Sequence, residues 1–146
     1  MHLEGDVDGA GPNKGLNPDI VCFEELDWAN QAALTQFRDA NLPGYQIFTG
    51  AGDGFNYNGF LIRGDITVLD FDTVRPSGAP RDSLRVTVQV PGALKTLTVY
   101  GVHFKCCSAA SDISQRTAEA NTIGRNIYLD RTIGLDLDDN GTRETP

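Results

Sequence analysis

The chain contains few cationic and few chemically reactive side chains. Its 146 residues include 12 Lys and Arg against 20 Asp and Glu, with two His, three Cys and one Trp. The resulting net charge of −8 argues against a general positive field around the protein. Nucleic acid is therefore not favoured as a partner on charge alone, because its recognition draws mainly on Lys and Arg.

Long apolar runs and metal-binding cysteine spacings are also missing. No stretch is long enough to cross a membrane, and the first residues do not resemble a signal peptide. No cysteine spacing matches a zinc site. Cys22 alternates into an apolar strand and is expected to be a small core residue. Cys106 and Cys107 are adjacent, and neighbouring cysteines rarely form a disulfide with each other. A partner elsewhere, either Cys22 or a thiol outside the chain, is therefore more natural.

The hydrophobic pattern predicts the element order β-α-β-β-β-β-β-α. This order indicates an α+β fold with mixed α/β layers, in which one mostly antiparallel sheet is flanked by two helices. The folded domain is expected at 18–129. It follows a Gly- and Asp-rich loop or linker at 1–17 and precedes an acidic polar tail at 130–146.

Three local patterns give more detailed expectations. Gly64-Asp65 separates two strand runs and predicts a hairpin. In the run from Leu84 to Val90, apolar residues alternate with Arg85, Thr87 and Gln89, so that one face is expected to be more exposed. A helix starting at Ser111 is expected to have an apolar face, formed by Ile113, Thr117, Ala120, Ile123 and Ile127.

Two apolar strands end in ionisable groups, which makes them candidate positions for chemistry. The first ends in Glu24-Glu25 and the second ends in His103 followed by Lys105. Consecutive residues of a regular strand point to opposite faces, so only one of the two glutamates is expected to serve a site. Each strand end alone also fits a structural role, and His103 needs a carboxylate or a metal nearby to act in catalysis.

The acidic tail offers a second candidate metal site. Asp136, Asp138 and Asn140, followed by Gly141, match the first half of a calcium loop, in which oxygen ligands alternate before a tight turn. The bidentate Glu of such a loop would fall beyond Pro146. Calcium binding at these residues is therefore a weaker expectation than a site at the strand ends.

Taken together, the segments resemble the endonuclease/exonuclease/phosphatase superfamily, whose members have the DNase I-like fold. "PDIVCFEEL" is similar to the family's "PDIIxLQEV" strand, whose final Glu binds the catalytic divalent metal, which implies this role for Glu25. "LTVYGVHFKCC" and the helix after it are similar to the family's "LxVxxxHLKS" strand and an Arg-containing helix. The resemblance implies that His103 contacts the scissile phosphate and that Arg116 binds substrate. The segment "YNGFLIRGDITVLD" is similar to the family's next hairpin, and its Asn58 is a further substrate-binding candidate.

The resemblance runs from about Asn17 to Ile127 and covers only the N-terminal half of a family domain. The family's later "GDxN" and "SDH" motifs, which supply further phosphate and metal contacts and the general base, are absent from this sequence. Half of the family's four-layer sandwich would leave an apolar sheet face in water. We expect this face to be covered by a second chain, by a symmetry mate or by a missing C-terminal half.

The resemblance implies a phosphoesterase that depends on Mg²⁺ or Mn²⁺ and acts on a phosphate ester. A bound cation would supply the local positive charge that the chain lacks. As half a domain, the chain is expected to be a fragment that is weakly active or inactive. The segment "HFKCC" is close to a motif of secreted bacterial branches, which suggests an extracellular protein. The alternative is an extracellular structural or interaction module that keeps the fold and binds calcium at its acidic ends.

Overall fold

The computed structural model describes residues 18–133 except 28, 30, 31, 53 and 77. Its elements are β1 (Ile20–Asp27), α1 (Ala32–Asn41), β2 (Gln46–Thr49), β3 (Asn56–Ile62), β4 (Thr67–Val74), β5 (Ser83–Gln89), β6 (Leu97–Gly101) and α2 (Ala110–Ile133). This order confirms the predicted α+β class with two helices. The predicted linker at 1–17 lies outside the described residues, as do the calcium candidates Asp136, Asp138 and Asn140. Helix α2 continues four residues past the expected boundary at 129.

The strands form two three-stranded antiparallel sheets, where one sheet was expected. The first sheet has the order β1-β3-β2 and the second has the order β4-β5-β6. The prediction of a hairpin at Gly64-Asp65 is wrong, because β3 and β4 lie in different sheets. The chain crosses between them in a turn in which Ile66 N donates to Arg63 O at 3.0 Å. Gly64 allows this crossing because the backbone of Gly44 lies against it and leaves no room for a side chain.

The two sheets pack face to face and enclose the main core. Alternate residues of β3 and β5 point inward, as the period of a strand requires. The buried cluster consists of Phe60, Ile62, Ile66, Leu84, Val86 and Val88. The expectation that an apolar sheet face would be left in water is therefore wrong for the described residues, because each sheet covers the other.

Helix α1 covers the outer face of the first sheet. Leu34 on the helix packs with Leu42, Tyr45 and Leu61 in a second buried cluster. Phe37 also meets Phe23 of β1 edge to face, with ring centroids 5.8 Å apart. Helix α1 thus packs onto the first sheet through buried Leu34 and half-buried Phe37.

Helix α2 lies against the outer face of the second sheet through charged side chains. Arg85 of β5 contacts Asp70 at 2.7 Å and Asp130 of α2 at 3.3 Å. Arg85 and Thr87 are buried by this arrangement, so the prediction of an exposed face on β5 is wrong. Burial alone would lower the pKa of Arg85, but the neighbouring carboxylates of Asp130 and Asp70 outweigh it and raise the pKa.

The predicted apolar face of α2 is also wrong. Of its members only Ile123 is buried, whereas Ile113 and Ile127 are about half exposed. The helix buries polar groups because its partners on the second sheet are Arg85 and Tyr100, whose hydroxyl donates to Asp130. Burial and this hydrogen bond raise the pKa of Tyr100. Neither described helix is long and apolar enough to cross a lipid bilayer.

Edge strands β1 and β6 lie on the same side of the sandwich. Cys22 of β1 is placed over Gly101 of β6, where a Cβ atom would come within 2.8 Å of the Cys22 sulfur. Cys22 nevertheless stays exposed, which corrects the expectation of a core residue. The reason is its position on an edge strand, with no further strand beside it among the described residues.

Candidate active site

Glu25 leaves the regular strand geometry of β1 at a bulge. Phe23 is opposite Gly59 and Leu26 is opposite Tyr57, so Glu24 and Glu25 together face the single residue Asn58. Glu25 has φ of +57°, in the left-handed region that residues with a side chain seldom adopt. Such a bulge redirects a side chain. The strict alternation expected for Glu24 and Glu25 therefore does not hold here.

His103 lies just after β6, in an extended segment that leads towards α2. Its side chain is 16% exposed. Its Nδ1 atom is buried and has no hydrogen-bond partner among the described residues, whereas Nε2 points towards β1. A buried ring nitrogen without a partner is uncommon in structural histidines, which are normally hydrogen-bonded.

The structure brings Glu25 and His103 together from different sheets. Glu25 Oε1 lies 3.5 Å from His103 Nε2, and the Glu25 side chain is 66% exposed. The pair therefore has one exposed carboxylate and one partly shielded imidazole at a rim that solvent can reach. A catalytic role for His103 requires a carboxylate or a metal nearby, and the Glu25 side chain is such a carboxylate.

Arg116 and Glu119 of α2 hold the segment that follows His103. Glu119 is 2% exposed, and its Oε2 accepts a hydrogen bond from Lys105 N at 2.8 Å. Arg116 Nη1 donates to Lys105 O at 3.2 Å and also to Cys107 O. Arg116 is thus bound to backbone carbonyls, which favours a positioning role, and its substrate contact stays a prediction. Glu119 was missed from the sequence, where its only signal is its place one helical turn after Arg116.

Asn58 lies beneath the loop between β2 and β3. It is 1% exposed, and its Nδ2 donates to Asp82 O at 3.0 Å. Asp82 also accepts from Ala51 N through Oδ2 at 2.9 Å, so the two side chains connect this loop to the start of β5. The placement favours a structural role for Asn58 next to the bulge, and its predicted substrate contact stays untested.

The donor chemistry at Glu25 fits a hard, hydrated cation. Magnesium keeps several waters and is usually held by one or two carboxylates together with substrate phosphate, so a single exposed carboxylate is a sufficient protein ligand. Between residues 18 and 133, the described side chains include no group of three or more His, Cys, Asp or Glu that could hold a metal ion. A closed zinc-type site is therefore not formed by them.

Comparisons with known proteins support the fold. No family model and no curated protein matches the sequence. Among solved structures, TDP2 from D. rerio, complexed with single strand DNA product, has a TM-score of 0.62 at 23% identity and covers 76% of this chain. Truncated TDP2 from Caenorhabditis elegans has a TM-score of 0.61 at 18% identity and covers 89% of this chain.

The chain spans about half of the length of these neighbours, namely 42% of the D. rerio protein and 54% of the truncated Caenorhabditis elegans protein. TDP2 (tyrosyl-DNA phosphodiesterase 2) is a member of the endonuclease/exonuclease/phosphatase family. The two face-to-face sheets with one helix outside each form four layers, where the sequence motifs predicted one sheet and half of the family's four-layer sandwich. The chain therefore has the fold of part of a DNase I-like domain.

Proposed function

We propose that this chain carries the metal- and phosphate-binding half of a hydrolytic site for phosphate esters. One observation carries the proposal: Glu25 and His103, from different sheets, lie 3.5 Å apart at an exposed rim. Each strand end alone also fits a structural role. Their meeting, with Glu25 in a left-handed conformation and a buried His103 nitrogen left unpaired, favours a site.

The two side chains would divide the work as follows. Glu25 would be the protein ligand of Mg²⁺ or Mn²⁺, which when bound offsets the negative charge of the phosphate. His103 would donate from Nε2 to a phosphate oxygen, since its Nδ1 is buried away from the rim. Arg116 and Glu119 would keep His103 in place by fixing the backbone at Lys105.

The proposed chemistry of Glu25 and His103 supports a phosphate ester as the class of substrate, and no narrower class. The D. rerio neighbour was crystallised with a single strand DNA product, and one fold serves several kinds of phosphate ester. The net charge of −8 makes an extended polyanion an unfavourable ligand unless a cation is bound. We therefore propose a phosphate ester bound at Glu25 and His103, without assigning nucleic acid to this chain.

Hydrolysis also requires a general base, and the described residues beside Glu25 and His103 offer no clear candidate. We propose that further structure completes the site, because this chain covers only 42% and 54% of the two neighbours. Turnover of a simple phosphodiester by this chain alone should stay near background, since losing one member of a catalytic group costs orders of magnitude. Ready turnover that Glu25→Gln removes would contradict this expectation.

The metal-binding role can be tested by Mn²⁺ titration followed by electron paramagnetic resonance of the free ion. Glu25→Gln should weaken binding at least about tenfold, because it removes a direct ligand. Glu24→Gln is the matched control, since it makes the same change at the neighbouring position and should leave binding unchanged. Equal binding by the wild type and Glu25→Gln would contradict the proposal.

A further inference from the structure

Two adjacent thiols follow the candidate site and touch each other. Cys106 and Cys107 are both exposed, and their sulfur atoms lie 2.6 Å apart. Cys107 has φ of +81°, again in the left-handed region. In an extended chain, adjacent side chains point in opposite directions. The unusual backbone at Cys107 therefore turns the two sulfur atoms towards each other.

Two side chains of helix α2 bind the backbone of this turn. Lys105 N is bound by the buried carboxylate of Glu119, and the carbonyls of Lys105 and Cys107 are bound by Arg116 Nη1. Three backbone groups of Lys105 and Cys107 thus have side-chain partners on one helix. The folded chain therefore fixes the turn in which the two sulfur atoms are in contact.

We propose that Cys106 and Cys107 form a reversible disulfide with each other, and that this pair is a redox modification site next to His103. This assignment differs from the sequence-based expectation of a more distant partner, which the free cysteines of the structure leave untested. All three cysteines are free in the structure. Reduction of an exposed disulfide is easier than that of a buried one, which makes the pair suited to reversible use.

The oxidant required is a low-molecular-weight disulfide such as oxidised glutathione. The thiolate of one cysteine attacks this disulfide, forming a mixed disulfide and releasing one glutathione thiolate. The second cysteine then attacks the protein sulfur of the mixed disulfide and releases the other glutathione. Two protein thiols become one disulfide and one oxidised glutathione becomes two reduced ones, with the two thiol protons taken up by the released glutathione thiolates.

The test uses the full chain with Cys22→Ser, which removes the only other thiol. After treatment with oxidised glutathione and alkylation, mass spectrometry should show a chain lighter by two hydrogen atoms, with no glutathione and no alkyl group attached. Reduction before alkylation should restore two alkylated cysteines. In the additional variant Cys106→Ser, a stable glutathione adduct on Cys107 is expected, because the second step is impossible.

A comparison with the urea-unfolded chain shows whether the fold favours the disulfide or whether adjacency in the sequence is enough to form it. The ratio of closed disulfide to mixed disulfide should be at least about tenfold higher in the folded chain, because the turn already presents the two sulfur atoms to each other. Stable glutathione adducts on both cysteines of the folded chain, or the same ratio in the unfolded chain, would overturn the proposal. So would a disulfide between Cys22 and either cysteine in the unmutated chain.

Discussion

At the scale of single residues, the backbone of Glu25 is the most informative feature of the site. A residue with a side chain in the left-handed region costs about 1 to 2 kcal/mol relative to its usual conformations. Glu25 occupies this region at φ of +57° in a bulge of β1. The fold accepts this cost where it places a carboxylate 3.5 Å from His103. Backbone strain of this kind is concentrated at functional sites.

Glu25→Gly should separate stability from binding. Glycine adopts a positive φ without steric cost, so we expect the free energy of unfolding to stay the same or rise by up to about 1 kcal/mol. Metal binding should be lost because the carboxylate is gone. Urea unfolding gives the stability and a Mn²⁺ titration gives the binding.

Glu24→Gly is the matched control for this backbone effect. Glu24 is not among the described residues with positive φ, so glycine there should lower the free energy of unfolding by about 0.5 to 1 kcal/mol. Similar destabilisation by both substitutions would show that the conformation of Glu25 is not strained in solution.

The sequence motifs predicted the pairing of Glu25 with His103 but not how it is achieved. The resemblance assigned both residues to one site, and the structure places them together. The bulge was not predictable, because a continuous apolar run such as Ile20 to Phe23 carries no signal for an extra residue. The fixed turn at Cys106 and Cys107 was missed for a similar reason, since it depends on contacts from α2.

At the scale of secondary-structure elements, α2 is held by polar contacts instead of an apolar stripe. Its buried residues include Glu119 and Asp130, which bind Lys105 N and Arg85. Apolar spacing describes the core contact of α1, in which Leu34 and Phe37 pack against the first sheet. It fails for α2, because the partner surface on the second sheet contains Arg85 and Tyr100. Sequence periodicity cannot show that a charged helix face will meet charged partners.

Glu119→Ala should loosen the segment after His103. The substitution leaves Lys105 N–H without its acceptor, and an unsatisfied buried donor costs about 1 to 3 kcal/mol. Glu119→Gln keeps an acceptor oxygen and should retain most of the stability. Thermal and urea unfolding measure the loss, and equal stability of the alanine and glutamine variants would show that this hydrogen bond is not important.

Arg85→Ala should destabilise the contact between α2 and the second sheet strongly. It leaves Asp70 and Asp130 buried without their cation, and breaking a buried ion pair in this way costs about 3 to 5 kcal/mol. Arg125→Ala removes an exposed arginine of α2 and should change the free energy of unfolding by no more than about 0.5 kcal/mol. Comparable effects of the two substitutions in urea unfolding would contradict the assigned role of Arg85.

At the scale of the whole molecule, two sheets pack face to face, and Glu25 and His103 lie together at an exposed rim. The two sheets cover each other through Phe60, Leu84 and Val86, so the described residues have a core of their own. Edge strands β1 and β6 stay uncovered on the side where Cys22 is exposed. The resemblance predicted only half of a four-layer sandwich, with one sheet between two helices, whereas the structure has two sheets. The expectation of a bare sheet face failed because it treated the strands as one sheet.

We propose that Glu25 and His103 act as one metal- and phosphate-binding site. The chain has only two histidines, so the imidazole signals of His103 can be assigned by comparison with His103→Asn. The decisive measurement is an NMR titration of these signals with inorganic phosphate, with and without Mg²⁺, in the wild type and in Glu25→Gln. We predict a shift that requires Mg²⁺ in the wild type and is lost in Glu25→Gln. No response to phosphate with Mg²⁺, or the same response in both proteins, would contradict the claim.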